Sequence, residues 1–459
     1  MLRIKKPYQI YLIVSILFSL SVFFVKLGKS HLIEYDEAIY GLVAKNIIKT
    51  GDVFTLHWKL EQPWFDKGPL YLWLTALSLK VFGFNAFAVR FWSALFGFLS
   101  SLTVFFIGKK LYNYRVGFSA SIILSSTVGY LYYARNGMLD VPNAFFNTAS
   151  FYFLCLSLDD KKYLRMAAIF LGLGFLNRGF LSFFGLSAFL IFAFLRKRLK
   201  EFKPKDLAGL AMIFVLINLP WHAVETYRHG FNFWEVYLGH QTFLRFTQTI
   251  EGKAAPFFWY ITVARTHLRF WYPCLILALI YISIKSFRRE SSYFLLLLWW
   301  SSVFVGFTVA RSKLIWYIMP LYPPSSLVIA RFFYDLLGKF KRERLLPILV
   351  LAGGVIFNFQ ARDRILPPDF TYDQVKLIDY KNNLDPQADL LAINYSFSVS
   401  QFYSVGKVVP IPLPETKGFF DSLGYRYGII TADDLSSLKY KDNYQVLYSS
   451  GSGVLISKK

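Results

Sequence analysis

Cysteine is almost missing from this chain: Cys155 and Cys274 are the only two in 459 residues. Both sit inside apolar blocks, so a disulfide framework is excluded and each reads as a small core residue. Acidic residues are scarce as well, with 28 Asp and Glu against 51 Lys and Arg, a net charge of +23. An excess of that size can mark a nucleic-acid binder. Here the cations lie in short connections between apolar blocks, the pattern that orients spans in a bilayer, so no nucleic-acid partner is expected. Internal repeats and low-complexity segments are also missing.

What the chain has in abundance is apolar surface. Hydrophobic residues make up 55%, aromatic residues 20%, and mean hydropathy is +0.40. These residues arrive in blocks of roughly 17–22, the length a helix needs to cross the hydrocarbon core. Spans are expected near 8–27, 88–107, 117–134, 141–158, 164–178, 180–195, 206–224, 268–285, 292–310, 313–331 and 345–359. The first is read as an uncleaved span, because it is too long for a signal-peptide core and no small-x-small site follows. The run 69–84 is short for a span and reads as an interfacial helix; counting it and its neighbours gives a range of about 11–13 membrane helices.

Charge placement tests that layout. With Arg3, Lys5 and Lys6 in the cytoplasm, the loops 109–115, 159–165, 196–205, 285–290 and 338–344 fall inside, and all are basic. The outside segments, 28–87, 135–140, 225–267 and the tail, are longer or poorer in Lys and Arg, as the positive-inside rule requires. The tail has a soluble composition, with short β-prone runs at 389–393, 407–411, 427–430, 446–448 and 453–457. The expected fold class is an α-helical polytopic membrane protein with a small C-terminal extracytoplasmic α/β domain. Residues 1–360 would be the transmembrane domain, with interfacial helices in the 28–87 loop, and 361–459 the soluble domain.

The chemistry-bearing residues cluster on the outer face. Asp36 and Glu37 open an amphipathic stretch with apolar residues at Ile39, Leu42, Val43, Ile47 and Ile48, a helical period that suits a membrane surface. Asp36 reads equally as a helix N-cap. Asp66 and Lys67 precede Gly68-Pro69 and an apolar run, where a lysine can meet a lipid phosphate or simply snorkel. Arg135 and Asp140 lie at the membrane boundary, where ionisable groups are costly unless paired or functional. The segment 218–246 holds His222, His229 and His240 without HExxH or CxxC spacing. Arg311 and Lys313 stand at the outer mouth of a span, against the usual bias, and suit an anion; Tyr317 lies one turn deeper. Carboxylates suit proton transfer to or from a hydroxyl, and cations suit a departing phosphate.

The segments YDEAIYGLVAKNIIKTGD, PWFDKGPLYLWL, YYARNGMLDVPNAFF, HQTFLRF and SKLIWYIMPLYPP, in order over roughly 30–330, resemble the aminoarabinose transferase (ArnT) family. That family stands with the protein mannosyltransferases in the GT-C class of membrane glycosyltransferases. The resemblance implies transfer of a sugar from a polyprenyl-phosphate (undecaprenyl-phosphate) donor to lipid A or another glycan, lipid or protein acceptor outside the inner membrane, by inverting single displacement. It implies Asp36 and Asp140 as catalytic carboxylates. Lys67, Arg245 and Tyr317 would meet the donor phosphate. Asp66 and His240 would form a divalent-metal site (Zn, or Mg/Mn), with no other cofactor. The family's Arg three residues beyond the catalytic acid is Ile39 here, so its phosphate contact is expected from Arg135, Arg311 or Lys313. The family's Lys-Pro-Pro reads Lys67-Gly68-Pro69, which would loosen the loop.

A transporter or flippase of lipid-linked sugars is the alternative. Such proteins often carry internal repeats and charges near the bilayer midplane, whereas these charges sit at the outer face. An extracytoplasmic binding or sensor protein ranks last, because the tail carries no motif.

Overall fold

The computed structural model describes residues 7–250, 252–287, 291–366, 368–411, 425–438 and 441–459. Its contacts divide the chain into two compact units. The first comprises Met1–Val25, Trp64–Tyr71 and Phe91–Leu366, and the second Lys26–Pro63, Leu72–Arg90 and Pro367–Lys459. Arg3, Lys5 and Lys6, and residues 288–290 of the basic loop 285–290, lie outside the described residues.

In chain order the helices are α1 (Pro7–Phe24), α2 (Asp36–Thr50), α3 (Leu70–Phe82), α4 (Ala86–Leu111), α5 (Tyr114–Ser125), α6 (Val128–Ala134), α7 (Asp140–Ser157), α8 (Tyr163–Arg178), α9 (Phe184–Leu195) and α10 (Pro204–Trp234). They continue with α11 (Trp259–Leu268), α12 (Trp271–Phe287), α13 (Ser291–Val309), α14 (Tyr322–Lys339), α15 (Leu346–Gln360), α16 (Tyr372–Leu384) and α17 (Phe397–Tyr403). Each expected span falls on one of these helices or on a pair. Among the described residues five stretches are long and apolar enough to cross a membrane: Ala86–Leu111, Tyr163–Ser182, Pro204–Thr247, Ser291–Val309 and Glu343–Gln360. Shorter apolar helices accompany them, α3 among them.

Departures from the expected spans have local causes. The span 117–134 breaks between α5 and α6, where Ser126 and Thr127 turn their hydroxyls back onto Ile122 O (2.8 Å) and Ile123 O (2.9 Å). The span 313–331 starts late. Pro320, Pro323 and Pro324 suit only a tight turn or a helix's first residues, so a 3₁₀ turn (Ile315–Leu321) precedes α14 and residues 310–314 stay irregular. Helix α10 overruns its expected end at 224, bends at Gly230 (φ +57°) and passes into a π-helical segment, Glu235–Leu244. The helical unit is tied internally by small hydroxyls: Ser19 Oγ lies 2.8 Å from Ser101 Oγ and 3.0 Å from Ser125 Oγ, joining α1, α4 and α5.

The second unit contains a five-stranded sheet of β1 (Leu390–Ile393), β2 (Val408–Ile411), β3 (Tyr427–Thr431), β4 (Tyr444–Ser450) and β5 (Gly453–Lys458), in the order β2-β1-β3-β5-β4. The first three strands are parallel and β5 turns the sheet antiparallel. Alternate residues feed opposite faces: Leu391, Ile393, Ile430 and Ile456 pack on one, Leu390, Ala392, Ile429 and Leu455 on the other. Helix α2 belongs to this unit and is enclosed on most sides, with Ala38, Tyr40, Leu42, Val43 and Ala44 all buried. A Cβ at Gly41 would already lie 3.3 Å from the Phe402 ring. Lys45 Nζ caps α17 by donating to Gln401 O, Phe402 O and Ser404 O at 2.7–2.8 Å. The helix expected to lie on a membrane surface packs into the sheet-bearing unit.

Candidate functional site

In the helical unit the loop carrying Asp66 and Lys67 lies hard against the end of α8. A Cβ at Gly68 would fall 2.0 Å from Leu176 O, so only glycine permits the approach. The expectation that this glycine loosens the loop is therefore reversed: it allows tighter packing. Arg178 is the last residue of α8, and Gly179 (φ +60°) ends the helix. The π-helical segment then brings Tyr237, Gln241 and Thr242 to the same place, Arg245 follows it, and the 3₁₀ turn supplies Tyr317.

These residues line a cavity of about 400 Å³. Its charged lining is Asp66, Lys67, Arg178 and Arg245, and its apolar walls include Phe180, Leu181, Phe184 and Phe307. Arg178 Nη1 sits 2.6 Å from Asp140 Oδ1, with both side chains buried, and its guanidinium carbon lies 4.8 Å from the centre of the Tyr317 ring. Arg245 Nε donates to Gln241 Oε1 (2.8 Å), and Lys67 Nζ to Asp66 O (3.2 Å). Asp140 opens α7, where the helix dipole also favours its carboxylate. Three cations, a phenol and apolar walls can hold a phosphate group at the end of a long apolar chain.

The sequence reading missed Arg178. The signal was available, since an arginine at the outer end of the 164–178 span breaks the charge bias as Arg311 does. Of the other expected site residues, Asp66, Lys67, Arg245 and Tyr317 come together in this cavity and Asp140 meets it through Arg178. Arg135 does not line it. Its guanidinium donates to Val22 O (2.8 Å), Phe23 O (3.0 Å) and Val25 O (2.8 Å), where the end of α1 leaves carbonyls without helical partners. Arg311 and Lys313 line a second cavity, of about 590 Å³. His240 lies in the π-helical segment, half-buried. Among the described residues no group of three or more His, Cys, Asp or Glu is placed to hold a metal ion. Asp66 and His240 alone are two donors, fewer than the three or four protein ligands of a zinc centre, so the residues present do not fit one.

Asp36 lies in the sheet-bearing unit, at the first position of α2. The N-cap position belongs to Tyr35, held at φ +74° without a capping side chain, so Asp36 is not the cap. Among the described residues the Asp36 carboxylate makes no hydrogen bond or ion pair, while its neighbour Glu37 is fully engaged. Arg90 Nε and Nη2 donate to the Glu37 carboxylate at 2.7 and 2.9 Å, and Ile33 N donates to it at 2.7 Å. The same guanidinium binds Leu27 O, Ser30 O and His31 O. The backbone on both sides of Asp36 is thus pinned.

Residues 66–221 match the family model described as dolichyl-phosphate-mannose-protein mannosyltransferase. The chain is 28% identical over 354 residues to an uncharacterised protein of Aquifex aeolicus, covering 74% of this chain and 69% of that one. It is 27% identical over 338 residues to the undecaprenyl phosphate-alpha-4-amino-4-deoxy-L-arabinose arabinosyl transferase 2 of Proteus mirabilis. That match covers 72% of this chain and 60% of the Proteus protein, so the chain spans less than two thirds of that relative's length. In fold it is similar to the crystal structure of ArnT from Cupriavidus metallidurans bound to undecaprenyl phosphate, with a TM-score of 0.77, 16% identity and 97% of each chain covered.

Proposed function

We propose that this chain, which belongs to the ArnT-like GT-C superfamily of membrane glycosyltransferases, moves a sugar from a polyprenyl-phosphate carrier to an acceptor on the outer side of the inner membrane. One observation carries the reading: Lys67, Arg178 and Arg245 converge with Tyr317 on one cavity whose walls include a run of apolar side chains, Phe180, Leu181, Phe184 and Phe307. Phosphate is the leaving group of such a donor. Fixed cations in a water-poor cavity stabilise the charge that builds on it as the glycosidic bond breaks. The apolar walls suit the first isoprene units of the carrier.

In the proposed reaction the acceptor attacks the anomeric carbon from the face opposite the departing phosphate. A bond forms between acceptor oxygen and carbon as the carbon–phosphate-oxygen bond breaks, and the configuration inverts. Asp36 takes the proton of a hydroxyl acceptor, or positions a phosphate acceptor such as that of lipid A, which is already anionic. Asp140 acts through Arg178: the buried pair fixes the guanidinium for the phosphate. The Lys and Arg side chains supply the charge neutralisation, and no step needs a metal at Asp66 and His240. The basic loops face the cytoplasm in this reading, and the 361–459 domain lies outside.

The test is transfer by purified protein in lipid vesicles, using radiolabelled polyprenyl-phosphate sugars with lipid A and other glycolipid acceptors. Wild type should transfer label with inversion, and Asp36→Asn should lose about 100-fold or more of the rate while still binding donor. Retained configuration would end the single-displacement scheme. Label crossing the bilayer without transfer would make the protein a transporter.

A further inference from the structure

A short strap in the helical unit has two chemically different faces. Residues 245–250 and 252–254 run against residues 310–314: Ser312 N donates to Arg245 O (3.0 Å), Arg311 N to Phe246 O (3.0 Å) and Lys313 N to Lys253 O (3.2 Å). Ser312 Oγ clamps the turn by accepting from Ile250 N and donating to Gln248 O. Along the irregular stretch 310–313 alternate side chains go to opposite sides: Ala310 and Ser312 line the first cavity, and Arg311 and Lys313 line the second. From the facing segment Arg245 lines the first and Thr247 and Thr249 the second, with Phe246 in the wall of both.

We propose that the second cavity is an anion site that takes a phosphate ester group. Lys313 is only 5% exposed, and among the described residues neither it nor Arg311 has a carboxylate partner. Burying an ammonium beside another cation costs several kcal/mol unless an anion joins them. The fold accepts that cost in a cavity that also holds the Thr249 hydroxyl, a donor for a phosphate oxygen, while Thr247 Oγ1 already donates to Phe243 O (2.8 Å). The rest of the lining is small or apolar, with Phe257 beneath the Lys313 ammonium at 5.9 Å. Val309, the end of the apolar helix α13, is also part of it. A cavity at the end of a helix long enough to cross a membrane stands at headgroup depth, so the phosphate of a membrane lipid is the expected source and free phosphate the other. The site is separate from the donor cavity and does not depend on the transfer reading.

The test is calorimetric titration of the detergent-solubilised full-length protein with dihexanoyl-phosphatidic acid, inorganic phosphate and, as a phosphate-free control, dihexanoylglycerol. Phosphatidic acid should still bind Lys67→Ala, whatever part of the wild-type binding the donor cavity contributes, and in the Lys67→Ala background Arg311→Gln and Lys313→Met should each weaken it about tenfold or more. Arg311 is exposed, so its variant keeps the test informative should Lys313→Met fail to fold. Binding of phosphatidic acid alone assigns a lipid headgroup, and binding of inorganic phosphate as well assigns the phosphate group itself. The proposal falls if neither phosphate probe binds, if dihexanoylglycerol binds as well as phosphatidic acid, if Arg311→Gln leaves the binding of Lys67→Ala unchanged, or if Lys67→Ala abolishes binding.

Discussion

The two units use buried charge in opposite ways. In the helical unit, cations gather round cavities: Lys67, Arg178 and Arg245 line one, Arg311 and Lys313 the other. In the sheet-bearing unit they are spent on the chain itself. Arg90 is consumed by Glu37 and the carbonyls of Leu27, Ser30 and His31, and Lys45 by three carbonyls of the α17 C-terminus. A cation satisfied by backbone fixes a shape, whereas a cation facing a cavity is held ready for a ligand. Arg135 and Arg331 of the helical unit behave otherwise: Arg135 closes the end of α1 as Arg90 closes its own loop, and Arg331 pairs with Asp335 and the Tyr293 hydroxyl.

The sharpest way to break this contrast is to remove one cation from each unit and compare stability with activity. Arg90→Ala leaves the Glu37 carboxylate buried without its partner, which should cost about 3–5 kcal/mol. The expected result is a fall in thermal stability large enough to lower the yield of folded protein, and any residual transfer should be weak because Asp36 loses its support. Lys67→Ala should do the reverse. Transfer should fall about 100- to 1000-fold, the usual effect of removing one donor to developing negative charge, with the melting temperature nearly unchanged. A Lys67→Ala protein that melts far below wild type would place this lysine among the structural cations and erase the contrast.

That contrast also marks what the sequence could reveal. The spans, the basic loops and all five strands are legible, because hydropathy blocks and period-two runs are written locally. Asp66, Lys67, Arg245 and Tyr317 were legible one at a time. Their convergence was not, since it depends on Gly68 meeting Leu176 O and on a π-helical turn that no local pattern announces. Arg135 and Arg178 look alike in sequence, each an arginine at the outer boundary of a span. One meets the carbonyls at the end of α1 and the other meets Asp140 at the mouth of a cavity. Which carbonyls or carboxylates lie nearby is a tertiary fact, and it decides whether a cation is structural or receptive. Helix α2 shows the same limit: its amphipathic period was right, but the surface it covers belongs to the sheet-bearing unit.

Gly68→Ala probes the convergence directly. The added methyl must displace either the loop or the end of α8, an overpacking cost of about 1–3 kcal/mol. Since Lys67 and Arg178 flank that contact, donor KM should rise by about tenfold, more than kcat falls. A variant with wild-type kinetics would show that the loop tolerates the shift.

An effect that leaves transfer untouched tests the sheet-bearing unit through pH. Burial, with Lys49 one turn on adding to it, pulls the Lys45 ammonium from its ordinary 10.5 down to about 8. A lysine whose folded value is lowered weakens the fold while charged in both states, and this penalty is constant below pH 8. Between pH 8 and 10.5 the unfolded chain holds the proton that the folded one has released, so stability from this group rises with pH. The rise is at most about 3 kcal/mol. Melting temperatures of wild type and Lys45→Met should therefore diverge in favour of wild type from pH 8 upward and run parallel below it. Parallel curves throughout would mean that the three carbonyls hold the ammonium as well as water does, and that the charges of this unit are matched to its backbone without residual cost.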